Sequence, residues 1–163
     1  MPSAVNKASF RYALGHFASG VTVMTVSGAE RLHGMTVSAF ASVSLDPPLV
    51  LVCVERSTVM HRLMGEQSAF AVNILGERGE AISRFFADNA RLDGPEFREG
   101  NYRLGVTGSP IMLEATAYLE ARVYGRHEAG DHSIVVGEVV ALEVMNETDP
   151  LIFYRGGYRQ LKG

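Results

Sequence analysis

From Gly34 to Ser44 the chain reads Gly34-Met35-Thr36-Val37-Ser38-Ala39-Phe40-Ala41-Ser42-Val43-Ser44. Hydroxyls stand at Thr36, Ser38, Ser42 and Ser44, with mostly small side chains between them. Small residues let a backbone approach a flat ligand. Free N–H groups and hydroxyls then serve ring carbonyls, ring nitrogens or a phosphate. The same residues also suit a strand with an exposed serine face, ended by Asp46-Pro47-Pro48. A second cluster is Glu55-Arg56-Ser57-Thr58, before a short helix expected over residues 59–64. Unpaired N–H groups at a helix start favour an anion; an ordinary N-cap beside an exposed arginine is the alternative. In Gly130-Asp131-His132-Ser133 a histidine opens a strand beside an aspartate that can orient its ring. A plain hairpin turn with an exposed histidine fits equally. In Phe153-Tyr154-Arg155-Gly156-Gly157-Tyr158-Arg159 aromatics alternate with arginines. Tyr158 can stack on a ring, and Arg155 or Arg159 can meet a phosphate; otherwise the stretch is a last strand and turn.

Several familiar sites are absent. No two glycines are separated by a single residue, so the Gly-x-Gly-x-x-Gly dinucleotide fingerprint does not occur. Neither a phosphate-binding Gly-x-x-x-x-Gly-Lys loop nor a Gly-x-Ser-x-Gly elbow is present. Histidines never fall at His-x-x-x-His spacing and Cys53 is the single cysteine, so no metal site is expected.

The 163 residues fit one domain spanning 1–163. Hydrophobic residues make up 47%, enough to fill a core. A net charge of −3, with scattered basic residues, gives no field to draw a polyanion, so nucleic acid is not an expected partner. A lone cysteine rules out an internal disulfide. No signal-like leader or membrane-length apolar run is present, so the expectation is a cytoplasmic protein with no membrane partner.

The elements that must position these residues are mainly strands. Residues 1–8 read as a flexible start, with Ser9 as N-cap and Phe10, Leu14 and Phe17 at helical spacing. Strands are expected over residues 21–26, 32–37, 49–54, 70–75, 113–124, 133–144 and 151–154. The run at 49–54 reads as buried on both faces, and Asn73 is the odd polar member of its strand. A second helix is expected over 80–87, and residues 88–110 form a long irregular stretch. Many strands with few helices and no regular strand–helix alternation imply a mainly β (α+β) chain, an antiparallel barrel closed or nearly so.

The order of these motifs resembles the short-chain flavin reductase family, whose fold is the FMN-binding split β-barrel. The resemblance runs through Phe10-Arg11-x-Ala13-Leu14-Gly15-x-Phe17-Ala18-Ser19-Gly20-Val21-Thr22-Val23 and His33-Gly34-Met35-Thr36. It continues in Ser42-Val43-Ser44-Leu45-Asp46-Pro47-Pro48-Leu49-Val50, Phe70-Ala71-Val72-Asn73-Ile74-Leu75, Ala129-Gly130-Asp131-His132 and Val136-Gly137-Glu138-Val139. Pro150-Leu151 and Gly157-Tyr158 complete it.

The resemblance implies an NAD(P)H:flavin oxidoreductase that reduces FMN or FAD by hydride transfer from NADH or NADPH. It further implies a homodimer and a partner monooxygenase receiving reduced flavin. Thr36, Val37, Ser38 and Ala39 would lie beside the flavin ring, and Ser42, Val43 and Ser44 near its ribityl chain and phosphate. Ser57 and Thr58 would add phosphate contacts, with Arg56 the nearest cation where relatives often carry lysine. Phe86, or its neighbour Phe85, would meet the flavin. His132 would take the catalytic position beside the nicotinamide, with Tyr158 near the same pocket. Ser38 departs from the family, many of whose members have asparagine there. An FMN-binding electron-transfer protein, or a non-catalytic flavin-binding module, would share these features without a pyridine-nucleotide site.

Overall fold

The computed structural model describes residues 1–2 and 4–162. Its helices are α1 (Lys7–Leu14), α2 (Val59–Met64) and α3 (Glu80–Ala87), with a 3₁₀ turn at Asn89–Asp93. The strands are β1 (Ser19–Gly20), β2 (Thr22–Ser27), β3 (Leu32–Val37), β4 (Phe40–Leu45), β5 (Pro48–Glu55) and β6 (Ala69–Ile74). They continue with β7 (Tyr102–Leu104), β8 (Pro110–Met112), β9 (Ala117–Ala129), β10 (His132–Val144), β11 (Ile152–Tyr154) and β12 (Gly157–Arg159). The main sheet has seven strands in the order β3-β2-β6-β9-β10-β5-β4. Every pairing between named strands is antiparallel.

The strand order carries a strong constraint. β3 and β4 are consecutive in the chain, joined only by Ser38 and Ala39, yet they form opposite edges of the sheet. Strands lie about 4.8 Å apart, so the outer strands of a flat seven-stranded sheet would stand roughly 29 Å apart. Three peptide links reach about 11 Å at most. The sheet therefore rolls until its edges meet, leaving a split between β3 and the β4–β5 edge. Cys53 N–H donates to Ala39 O at 3.0 Å across that seam.

The rolled sheet encloses Met24, Val26, Val52, Val54, Phe70, Val72 and Val135, and α2 plugs it with Met60, Leu63 and Met64. β2 buries its other face too: Val23, and Val21 just before the strand, pack with Leu75, Phe86, Met112 and Leu151. β9 and β10, each 13 residues long, form a hairpin whose register shifts after Val136 and near Val139. Such bulges bend a strand pair, which lets β10 leave β9 and run along β5. At the tip Gly130 takes φ 63°, a turn geometry that favours glycine, and His132 follows at the head of β10.

Two local expectations are corrected. Asn6, not Ser9, caps α1: its side chain accepts from Ala8 N–H and Ser9 N–H, and Ser9 Oγ accepts from Asn6 N–H, a capping box that starts the helix at Lys7. β5 is one place from the sheet edge, so Leu51 and Cys53 on its outer face are only half-buried while Val50, Val52 and Val54 are buried. Glu120 on β9 is fully buried because residues 105–109 fold over it; it accepts from Val106 N–H, Thr107 N–H and the Thr107 hydroxyl. Asn73 is explained as well: it accepts from Met112 N–H at 2.8 Å and donates to Val23 O at 3.1 Å, fastening β8 to the sheet.

Gly34 lets α3 close on β3, since a Cβ there would sit 2.7 Å from the Phe86 ring. Gly34→Ala is expected to lower unfolding free energy by about 1–3 kcal/mol through overpacking. Gly20→Ala, whose Cβ would meet nothing within 4 Å, serves as the control in the same urea titration.

Candidate functional site

Two adjoining cavities lie along the split and share Met35, Thr36, Glu55 and Thr58. The smaller, about 230 Å³, is lined by Met35, Thr36, Val37, Ser38, Ala39, Cys53, Glu55, Thr58 and His132. The larger, about 450 Å³, continues past Ser57, Val59, Phe86, Ala87, Asn89, Arg91 and Leu92. The floor comes from the end of β3 and the Ser38–Ala39 link, one wall from the end of β5 and the head of β10. The opposite wall comes from α3 and the 3₁₀ turn.

Ser38 and Ala39 are exposed on this floor, and Val37 turns inward to the core. The Thr36 hydroxyl donates to Ser83 O at 2.7 Å, tying β3 to α3. Thr58 caps α2 by accepting from His61 N–H at 3.1 Å, as the sequence led us to expect. Arg56 points elsewhere, 3.6 Å from Glu128. His132 pairs across the sheet with Glu55. Its Nδ1 is 2.7 Å from Asp131 Oδ1, which holds the ring at the groove while the side chain stays 42% exposed. That hydrogen bond and the histidine's charge keep the Asp131 carboxyl below its usual range. Phe86 is buried, its ring against Phe97 at 5.3 Å, whereas Phe85 is exposed on the far side of α3.

The expected set thus divides. Thr36, Val37, Ser38, Ala39, Ser57, Thr58, Phe86 and His132 converge on the groove. Ser42, Val43 and Ser44 line neither cavity: they sit on β4, where Ser42 is opposite Val50. At about 3.3 Å per residue that position is roughly 10 Å along β5 from Cys53. Ser42 and Val43 are exposed there and Ser44 is half-buried. Tyr158 also lies outside the cavities: its hydroxyl is 2.7 Å from Ser83 Oγ and Arg84 stacks on its ring at 4.8 Å. It reaches the groove only through Ser83 and Thr36.

Residues given no role from sequence complete the walls. Cys53 and Glu55 alternate with buried Val52 and Val54, so strand parity alone would have placed them outward together. Arg91 and Glu96 had no such signal. Glu96 is buried and accepts from His33 Nδ1 at 2.8 Å, Arg91 Nε at 3.2 Å and Gly34 N–H at 3.3 Å, and Arg31 Nη2 pairs with it at 2.9 Å. Burial pushes the Glu96 carboxyl up. The hydrogen bond and charge of His33, the Gly34 N–H and Arg31 outweigh it and leave the group below the usual carboxylate range.

The donor set suits a flat, anionic, heteroaromatic ligand: exposed backbone beside small residues, hydroxyls on two walls, and a histidine oriented at the mouth. Comparison with known proteins agrees. Residues 14–162 match the flavin reductase like domain. An FMN reductase (NADH) of Agrobacterium fabrum is 39% identical, the match covering 97% of this chain and 88% of the relative. The reductase component of Thermus thermophilus 4-hydroxyphenylacetate 3-monooxygenase is 37% identical over 95% of this chain and 97% of its own. The Streptomyces globisporus NADH:FAD oxidoreductase, solved with NAD and FAD fragments, superposes with a TM-score of 0.91 at 35% identity, covering 99% of this chain and 98% of that one.

Because Glu96 is ionised more readily folded than unfolded, its contribution to stability is full above about pH 4.3 and is lost as pH falls through the lower, folded-state value. The stability gap between wild type and Glu96→Gln, read by chemical denaturation, should therefore be widest near pH 7 and narrow as the pH falls below the ordinary carboxylate range. Removing one member of a buried ion pair costs about 3–5 kcal/mol, which sets the upper scale of the gap.

Proposed function

This chain belongs to the flavin reductase like domain family, and from that premise we propose that it is an NAD(P)H:flavin oxidoreductase reducing FMN or FAD. The observation that carries the reading is the open groove over residues 36–39, with oriented His132 and Thr58 in its lining. Bound flavin supplies the hydride-accepting ring and the pyridine nucleotide supplies the hydride.

The protein's part is to hold and orient. The backbone at Thr36, Ser38 and Ala39 receives the ring edge, with N–H groups stabilising the charge that reduction adds. Ser57 and Thr58 receive the phosphate, and Phe86 backs the ring from behind Gly34. His132, held by Asp131, orients the nicotinamide carboxamide and needs no proton transfer to do so. Tyr158 acts indirectly, through Ser83, on the setting of Thr36. Both FMN and FAD present the same ring and first phosphate to these residues. Relatives named for NADH favour NADH as donor.

Reduced flavin would pass to an oxygenase partner, as the name of the Thermus relative implies for that protein. We also propose a homodimer. α1 buries none of its residues, leaving Phe10 and Leu14 exposed, and the outer sheet face exposes Val43, Leu45, Leu142 and Val144. Apolar area on that scale fits a two-fold interface. Among the described residues no helix is long and apolar enough to cross a membrane, and a cytoplasmic enzyme is the location we propose.

Anaerobic addition of NADH to protein with FMN or FAD should bleach the flavin absorbance in repeated turnovers. His132→Ala should raise the KM for NADH about ten-fold and change kcat much less, the pattern of lost uniform binding. No bleaching by wild type would leave a flavin-holding or electron-transfer protein instead.

A further inference from the structure

β3 is a free edge of the sheet along the very stretch that floors the groove. In an antiparallel pair, alternate residues turn both amide groups towards the neighbouring strand or away from it. Gly34 turns both away from β2, and two side chains take them. Its carbonyl accepts from Arg91 Nε at 3.1 Å and Nη2 at 3.0 Å, and its N–H donates to Glu96 Oε1 at 3.3 Å. Arg91 Nε also donates to Glu96 Oε1 at 3.2 Å, closing the pair on itself. Donor and acceptor are thus presented to Gly34 as an adjoining strand would present them. By the same alternation Thr36, two residues on, turns its amide groups to the open edge. Its side chain is fixed by Ser83.

We propose that Arg91 and Glu96 are positioning residues that act as a surrogate strand: they occupy the Gly34 rung of the edge and leave the Thr36 rung as the one place where the polar edge of the flavin can dock. The inference rests on the flavin groove proposed above. Its physical sense is register. An edge with both rungs open would accept a planar ligand, or another strand, in positions about 6.7 Å apart, one rung further along. Filling one rung leaves a single position. The rest of the Glu96 shell, His33 and Arg31, keeps the carboxylate in place, so the surrogate is rigid.

The test uses the intact protein with FMN as probe. Arg91→Lys keeps the charge but loses the fork that grips the Gly34 carbonyl. Glu96→Gln keeps an acceptor for the Gly34 N–H, loses the charge, and gives a second variant should the first fail to fold. Arg98→Lys, in the same loop without contact to Gly34, is the control. Fluorescence quenching gives the Kd for FMN, visible circular dichroism reports the seating of the bound ring, and thermal melting shows that each variant is folded. Folded Arg91→Lys or Glu96→Gln is expected to bind FMN about ten-fold more weakly and to give an altered bound-flavin dichroism, with the KM for NADH little changed. Wild-type Kd and dichroism in the folded variants would overturn the surrogate strand alone. Failure of wild type itself to bind FMN would overturn the flavin groove and this inference together.

Discussion

Two residues, Ser38 and Ala39, join strands that stand at opposite edges of one seven-stranded sheet. So short a link forces the sheet to roll and fixes where it splits. Most of the local structure can be read as an answer to the split. Without the roll, the end of β3 would lie far from the paired end of β5 and head of β10 on a flat sheet. With it, Thr36, Cys53, Glu55 and His132 line one cavity.

A split barrel has a cost that a closed one avoids: an unpaired strand edge, open to any partner that can supply hydrogen bonds. In this chain the edge of β3 is divided rather than covered. Arg91 and Glu96 take the Gly34 amide groups, Ser83 takes the Thr36 hydroxyl, and the remaining backbone faces the groove. The interior offers no alternative site, because Met60, Leu63 and Met64 from α2 fill it. The seam instead offers a groove between walls that belong to different layers. Gly34 is the point where those layers touch, and its missing side chain is what lets Phe86 reach β3.

Much of this was legible in the sequence, and what was not has a common cause. Strand alternation, the Thr58 cap, the turn before His132 and the small residues at 36–39 are local signals, and each lies where its pattern placed it. Register and strand order are set by pairings between distant segments. Hence the run at 49–54 reads as buried on both faces although β5 is next to an edge and its outer face is only half-buried. Glu96 and Arg91 looked like ordinary charges in an irregular stretch. Their burial depends on His33 and Gly34, some sixty residues earlier. Asn73 marks the opposite case: a polar residue in an apolar strand signalled a buried hydrogen-bonding task, though not its partners, Met112 and Val23.

The central claim is that the seam between β3 and β5 is where flavin and pyridine nucleotide meet. Amide hydrogen exchange measured by mass spectrometry tests it most directly. On adding FMN, peptides containing Thr36, Ser38, Ala39 and Thr58 should slow, and further addition of NAD⁺ should slow the peptide containing His132. Protection confined to segments away from the seam, such as β7 and β8, with residues 36–39 exchanging as before, would contradict the account.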